Sequence, residues 1–422
     1  MNRPVIIAAL LAFTVCNPAA ADEGPDLAFH GYGTVGLVKA GTDDADFVRS
    51  FLQADGSGKS ADWTFDVDSR LGLQMDARLS DKLSGVVQVL AQHDHDGTFR
   101  PGVEWANLKY EFSPALSIRL GRTATSPFIA SEFRLVGISY PWVRPPLELY
   151  DILPMTSIDG IDIAYQQTFG QSLFAFEFSW GQRDVASFDH VSLEAREIMI
   201  LNTLIALGKT QFHLGYATGE VTFENLRLTQ LLDGLAQFAT TTGAIPGLKA
   251  TSDQAQAIHD YYRFDGDRHS LLTIGVQHQS GRFLAMVEAG WYRPTALPNL
   301  LVYSTTAGYL FGRFTPYAAF SKVDFSSTNT HTLTTRELPP TLMSAASTLN
   351  DSILNLVTDY AAAQHTASLG LRFDMAPNAS LKFQFDHIVV AEGSRGRFIN
   401  ADSDFRRGKS VDVLSIVVDF VF

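Results

Sequence analysis

The sequence predicts an all-β fold, a 16-stranded antiparallel transmembrane β-barrel with an inward-folded third loop and short helices in the extracellular loops. Three observations carry that expectation. Apolar residues alternate with polar or small ones over segments of about ten residues, the period of a wall that meets lipid on one side only. Tight turns and longer loops alternate along the chain, the pattern of barrels with short inner turns and long outer loops. Finally, 46% of residues are hydrophobic and only 18% charged, yet no apolar run approaches the roughly 18 residues of a spanning helix. With 32 basic against 45 acidic side chains the formal net charge is −13, which argues against a nucleic-acid partner. Thirty-two glycines and 17 prolines without a repeat exclude collagen, and the hydrophobic content excludes disorder.

At the N-terminus, Arg3, the apolar stretch Val5 to Val15 and the small triplet Ala19-Ala20-Ala21 read as a secretory signal peptide over residues 1–21. Residues 22–422 then form one barrel domain. Cys16 is the one cysteine and leaves with the leader, so no thiol nucleophile, disulfide framework or Cys-ligated metal is expected.

The strands follow in order: 27–39, 69–80, 85–92, 103–112, 116–122, 160–168, 172–180, 197–207, 210–223, 269–279, 282–292, 300–310, 313–325, 366–375, 380–390 and 410–422. In the second, Leu71, Leu73, Met75, Ala77 and Leu79 share one face, opposite Arg70, Gly72, Gln74, Asp76 and Arg78. Tight connections centre on Asp81-Lys82, Ser113-Pro114-Ala115, Phe169-Gly170-Gln171, Gly208-Lys209, Ser280-Gly281, Gly312 and Ala376-Pro377-Asn378. Both termini fall on the side of these short turns. Closure leaves no unpaired strand edge in lipid. Tyr110, Phe112, Phe178, Trp180, Trp291, Tyr309, Phe311, Phe420 and Phe422 lie near strand ends, where amphipathic rings suit the membrane interfaces.

Two long outer connections carry three helical patterns, at 226–238 and 251–264 in the first and at 341–360 in the second. Thr251 and Gln254 stand at capping-box spacing, and Pro339-Pro340 precede the last helix. The loop from Thr123 to Asp159 mixes Phe128, Phe133, Tyr140 and Trp142 with Glu132, Arg134, Arg144, Glu148 and Asp151. Folding it into the barrel buries the rings and leaves the charges to narrow a pore, where charged side chains set ion preference.

Charged residues on the non-lipid parity make up the candidate lumen. Arg70, Arg78, Lys109, Arg119, Arg282, Arg372 and Lys382 fall there, with Asp76, Glu111, Asp162, Glu177, Glu288, Asp374, Asp386 and Asp419. Facing lipid at the midplane, an Arg or Lys costs roughly 2–4 kcal/mol, so a wet interior is expected for all of them. A soluble sandwich would need solvent along one face of every strand.

Other motifs point elsewhere. Gly31-Tyr32-Gly33-Thr34-Val35-Gly36 matches a dinucleotide fingerprint formally, but no strand precedes it and no helix follows, so no cofactor is implied. Gln92 to Gly97 offers imidazoles and carboxylates, and reads first as a polar loop with an Asp-Gly turn rather than a metal site. Asp43, Asp44 and Asp46 read as a solvated acidic loop, with cation-bridged lipopolysaccharide as the other reading. No hydrolase, zincin or P-loop motif is present, and an enzyme is not expected.

The opening strand Phe29-His30-Gly31-Tyr32-Gly33-Thr34-Val35-Gly36-Leu37 and the terminal Phe422 resemble those of the Gram-negative trimeric porin family, and the resemblance spans residues 22–422. It implies a homotrimer in the bacterial outer membrane, in contact with lipids and lipopolysaccharide, that passes ions and small hydrophilic solutes by diffusion. It also implies a basic wall of Arg70, Arg78, Arg119 and Arg122, with Lys109 among the lining residues, facing Glu132, Glu148 and Asp151 on the loop. Ser131-Glu132-Phe133 matches the family's Pro-Glu-Phe-Gly-Gly segment in part; Arg134 and Leu135 replace the glycines, and Arg144 adds a positive charge. Replacing Arg70 and Arg119 by Ala is expected to shift selectivity toward cations. A substrate-selective channel, an adhesin or receptor barrel, and an enzyme barrel are the alternative functions.

Overall fold

Period-two alternation commits most of the chain to hydrogen bonding between neighbouring segments. In the computed structural model, which describes residues 26–186, 192–325 and 330–422, those segments form a single closed ladder. The strands are β1 (Asp26–Ala40), β2 (Arg70–Arg78), β3 (Leu83–Gln92), β4 (Gly102–Ser113), β5 (Leu116–Ala124), β6 (Ser157–Phe169), β7 (Ser172–Ala186) and β8 (Ser192–Leu207). They continue as β9 (Thr210–Glu224), β10 (Asp267–Ser280), β11 (Phe283–Arg293), β12 (Leu300–Tyr309), β13 (Phe314–Phe325), β14 (Gln364–Ala376), β15 (Ala379–Val390) and β16 (Ser410–Val421). Each pairs antiparallel with the next, and β1 also pairs with β16 from Tyr32↔Val421 to Ala40↔Val413. A two-residue strand, Trp63–Thr64, adds to the outer end of β1. All 16 expected strands are therefore present, and β7 differs most, running to Ala186 rather than Trp180. The leader reading over residues 1–21 lies outside the described residues.

The two faces separate as alternation requires. Leu71, Leu73, Leu108, Leu120, Leu214, Val287 and Leu369 stand exposed on the outer surface. Four of the tight turns place Gly170, Gly208, Gly281 and Gly312 at φ between 59° and 64°, a left-handed position that glycine takes without a Cβ clash. Tyr110, Phe112, Tyr309, Phe311 and Phe422 are exposed near strand ends, whereas Trp180, also exposed, falls within β7 because that strand runs on to Ala186.

The outer loops carry α2 (Leu226–Gly243), α3 (Lys249–Tyr261) and α4 (Pro340–Ala361), while α1 (Leu147–Tyr150) is one turn in the β5–β6 loop. Asn225 caps α2 by accepting the Leu228 N–H at 2.7 Å. The expected capping box of α3 does not form: the helix begins at Lys249, before Thr251. Gln254 turns away to donate to the Thr332 carbonyl at 3.1 Å. Leu231, Leu235 and Phe238 pack with Ala255, Ile258, Ile353 and Val357, giving the three helices a core of their own.

Gly121, Gly160 and Gly181 stand side by side across β5, β6 and β7. A Cβ on Gly160 would lie 2.0 Å from the Trp180 carbonyl oxygen, a backbone atom that cannot step aside. Gly160→Ala is therefore expected to block tight pairing of β6 with β7. Heat-modifiable electrophoretic mobility checks this, and the substituted barrel should unfold at lower temperature than the parent.

Candidate functional site: the loop inside the barrel

Residues 125–156 leave β5 and return to β6 through the barrel interior. Pro127, Pro141, Pro145, Pro146 and Pro154 interrupt this stretch. Each lacks the N–H a ladder needs, so the stretch cannot continue the wall. Its aromatic residues take it inward instead: Phe128, Tyr140, Trp142 and Tyr150 are buried against Leu271, Met286, Tyr292, Leu300, Val302 and Tyr317 of β10–β13.

A loop at that depth carries backbone carbonyls without ladder partners, and charged wall residues supply the donors. Lys382 Nζ donates to the carbonyls of Gly137 at 2.6 Å and Trp142 at 2.7 Å, and pairs with Asp419 at 2.9 Å. Arg372 donates to the carbonyls of Ile138 at 2.7 Å and Tyr140 at 3.0 Å. Arg70 donates to the Leu135 carbonyl at 2.7 Å and to the Tyr140 hydroxyl at 3.0 Å. From β11, Glu288 accepts the Ile129 N–H at 2.8 Å and the Tyr150 hydroxyl at 2.7 Å.

The loop's own charges complete the seam. Arg144 reaches Asp68 with two nitrogens, at 3.1 and 2.6 Å, and also Asp386 at 3.2 Å and Ser415 at 2.6 Å. Glu148 accepts from Ser321 at 2.6 Å, Gln364 at 2.7 Å and Thr366 at 2.5 Å. Arg134 donates to the carbonyls of Tyr150, Leu153 and Met155, closing the loop on itself. Asp151 pairs with Arg397 at 3.6 Å. Burial pushes its carboxyl up to about 6, against the pull of Arg397.

These contacts correct one expectation. Glu288, Lys382, Asp386 and Asp419 point inward as their parity requires, but the loop covers them, and Lys382 and Asp419 are 0% exposed. Their charge meets peptide dipoles and counter-charges in place of water.

The opposite wall is different. Lys109, Arg119 and Asp162 are in register across β4, β5 and β6. Arg119 bonds Asp162 at 2.6 Å and Glu177 at 2.5 Å, Arg122 grips Asp159 at 2.7 and 2.8 Å, and Lys109 bonds Glu111 at 2.6 Å. The side chains of Arg119, Arg122 and Lys109 keep 25%, 28% and 29% of their surface exposed. Glu132, in the single turn Ser131–Phe133, faces this group; burial raises its carboxyl while Arg119 pulls it down. Arg78 is exposed at the short-turn end of β2, opposite Ser84.

Toward the outer end, a cavity of about 220 Å³ lies between loop and wall, lined in part by Arg49, Gln92, Glu104, Arg134, Asp151 and Arg183. The sequence reading named Arg134 and Asp151 but missed Asp68, Asp159, Arg49 and Arg183. Asp68 lies just before β2, where alternation has not begun, and Arg49 lies in an irregular loop.

The fold and site define a polar-lined transmembrane β-barrel with a loop folded into its lumen. No family model and no curated relative matches the chain. Solved structures do. The outer membrane channel DcaP of Acinetobacter baumannii superposes with a TM-score of 0.56 at 10% identity, over 95% of this chain and 99% of that one. OmpT, an outer membrane protein of Vibrio cholerae, in its trimer form gives 0.52 at 11% identity, over 95% of this chain and 100% of its own. The anion-selective porin from Comamonas acidovorans gives 0.51 at 10% identity, over 94% and 100%. The likeness establishes the fold: a 16-stranded barrel of the Gram-negative porin type.

Arg144→Met would leave Asp68 and Asp386 buried without their cation, a change that costs about 3–5 kcal/mol. The expected outcome is a barrel that still closes but whose loop 125–156 becomes open to protease; a cleavage pattern identical to the parent's would contradict the seam.

Proposed function

We propose that this chain is an outer-membrane channel through which ions and small hydrophilic solutes diffuse along the strip of lumen between the inserted loop and the β4–β7 wall. The observation that carries the reading is the asymmetry of the interior. One wall is sealed to the loop, while Lys109, Arg119 and Arg122 keep partly exposed charge opposite it. In this reading Lys109, Arg119, Arg122 and Glu132 border the path. Arg70, Arg134, Arg144, Glu148 and Asp151 hold the loop that narrows it, and Arg78 lies at the inner mouth. The path is lined by both signs of charge, so its ion preference is weak.

The remaining parts follow the same reading. Residues 1–21 are a secretory leader and residues 22–422 the barrel domain. The chain is not an enzyme and uses no cofactor. It assembles as a homotrimer, in keeping with the trimer form of the Vibrio cholerae barrel, and sits among outer-membrane lipids and lipopolysaccharide.

Planar bilayers test the proposal. Purified protein should produce discrete conductance steps in KCl, and current no greater than that of bare lipid would overturn the channel. Under a salt gradient, Arg119→Ala and Arg122→Gln should each move the reversal potential toward cations. An unmoved potential in folded variants would mean these guanidinium groups do not border the path. Arg70→Ala is expected to act differently, raising conductance by loosening the loop, because its guanidinium is buried under Leu135 and Tyr140.

A further inference from the structure

At the outer rim, three side chains from separate segments converge: Asp55 and Asp66 from the β1–β2 loop, and His93 from the end of β3. One ligand atom from each lies within 4.8 Å of the others. The imidazole is 4% exposed. Its Nε2 faces Asp55 Oδ1 at 3.6 Å, beyond hydrogen-bonding distance, and among the described residues its Nδ1 has no hydrogen-bond partner. Buried imidazoles are ordinarily hydrogen-bonded, because leaving a polar group unpaired away from water costs free energy.

The geometry points to a binding site for a divalent transition-metal ion of the zinc class, held by His93, Asp55 and Asp66. One imidazole with two carboxylates is a donor set for borderline ions, whereas calcium and magnesium take oxygen ligands. Tetrahedral ligands about 2.0 Å from zinc stand roughly 3.3 Å apart, so modest rotation of two carboxylates closes the set.

The surroundings position these ligands. Thr64 Oγ1 donates to Asp66 Oδ2 at 2.6 Å, orienting that carboxylate. Gln53 binds the carbonyls of Asp66 and Val67 at 3.0 and 3.3 Å, holding the segment before Asp55 against the one that carries Asp66. The Ala54 N–H donates to the Asp94 carbonyl at 3.2 Å, joining that same loop to the chain just past His93. Asp55 keeps 43% of its side chain exposed, which gives an ion entry from outside.

The two aspartates that follow His93 are occupied elsewhere. Asp94 accepts the N–H groups of Asp96 and Thr98, and Asp96 binds the Thr98 hydroxyl and Arg100. His93 alone of residues 92–97 turns into the cluster. A bound ion would tie the first outer loop to β3 beside the cavity that His93 also lines.

The test is Zn²⁺ binding to the folded, untagged barrel in detergent after treatment with a chelator, read by calorimetry and by metal analysis after dialysis. Wild type and His95→Ala should each take up one Zn²⁺ per chain, undisturbed by excess Mg²⁺. His93→Gln and the double variant Asp55→Asn, Asp66→Asn should bind about tenfold more weakly or worse. The double variant changes only partly exposed groups, so it keeps the test valid if His93→Gln does not fold. Absence of saturable binding would overturn the site, as would binding that survives the double variant or is abolished by His95→Ala.

Discussion

A peptide group in hydrocarbon without a hydrogen-bond partner costs several kcal/mol, and this constraint governs the whole molecule. A chain of amphipathic strands meets it by joining its last strand to its first. Here β16 runs beside β1, and the Gly31 and Phe422 backbones bond each other in both directions at 2.8 and 2.9 Å. The rings of Phe420 and Phe422 lie over Gly33 and Gly31, positions where a Cβ would strike them. Closure in turn divides every strand into a side that meets acyl chains and a side that does not, which is why alternation is so regular.

The same constraint acts a second time on the loop inside the barrel. Its carbonyls at Leu135, Gly137, Ile138, Tyr140 and Trp142 have no strand beside them, and Arg70, Lys382 and Arg372 bind them. Hydrogen bonds from charged donors are stronger than neutral ones, so a few side chains hold a long irregular segment. Those side chains crowd the wall formed by β2 and β14–β16. The charges of β4–β7 remain partly wet, and the interior becomes lopsided.

Much of the fold was legible in the sequence because alternation and turn chemistry are local. Leu71 to Leu79 needs no partner to show its faces, and Gly170 or Gly208 marks its turn alone. The inward course of residues 125–156 was legible as well, since Tyr140 and Trp142 are unsuited to a solvated loop. What those residues touch was not legible. Lys382 binds a carbonyl 245 positions away in the chain, and Arg144 reaches an aspartate 242 positions away. Parity shows that such charges face inward, but not whether water or a folded loop meets them there. The helix at 249–261 failed on a similar point: Gln254 had a long-range partner in Thr332, and that partner won over the local cap.

The central claim is closure itself, and one cross-link examines it without background once Cys16, the single cysteine of the sequence, is replaced by Ser. Val35 and Val418 are directly opposite across the seam. Opposed antiparallel residues have Cα atoms about 4.5–5.5 Å apart, within disulfide reach. Oxidation of the double variant Val35→Cys, Val418→Cys in lipid vesicles should give an intramolecular disulfide, while Val35→Cys paired with Val417→Cys should not. Links formed only between separate chains, or none at all, would mean that the first and last strands do not meet and the cylinder is open.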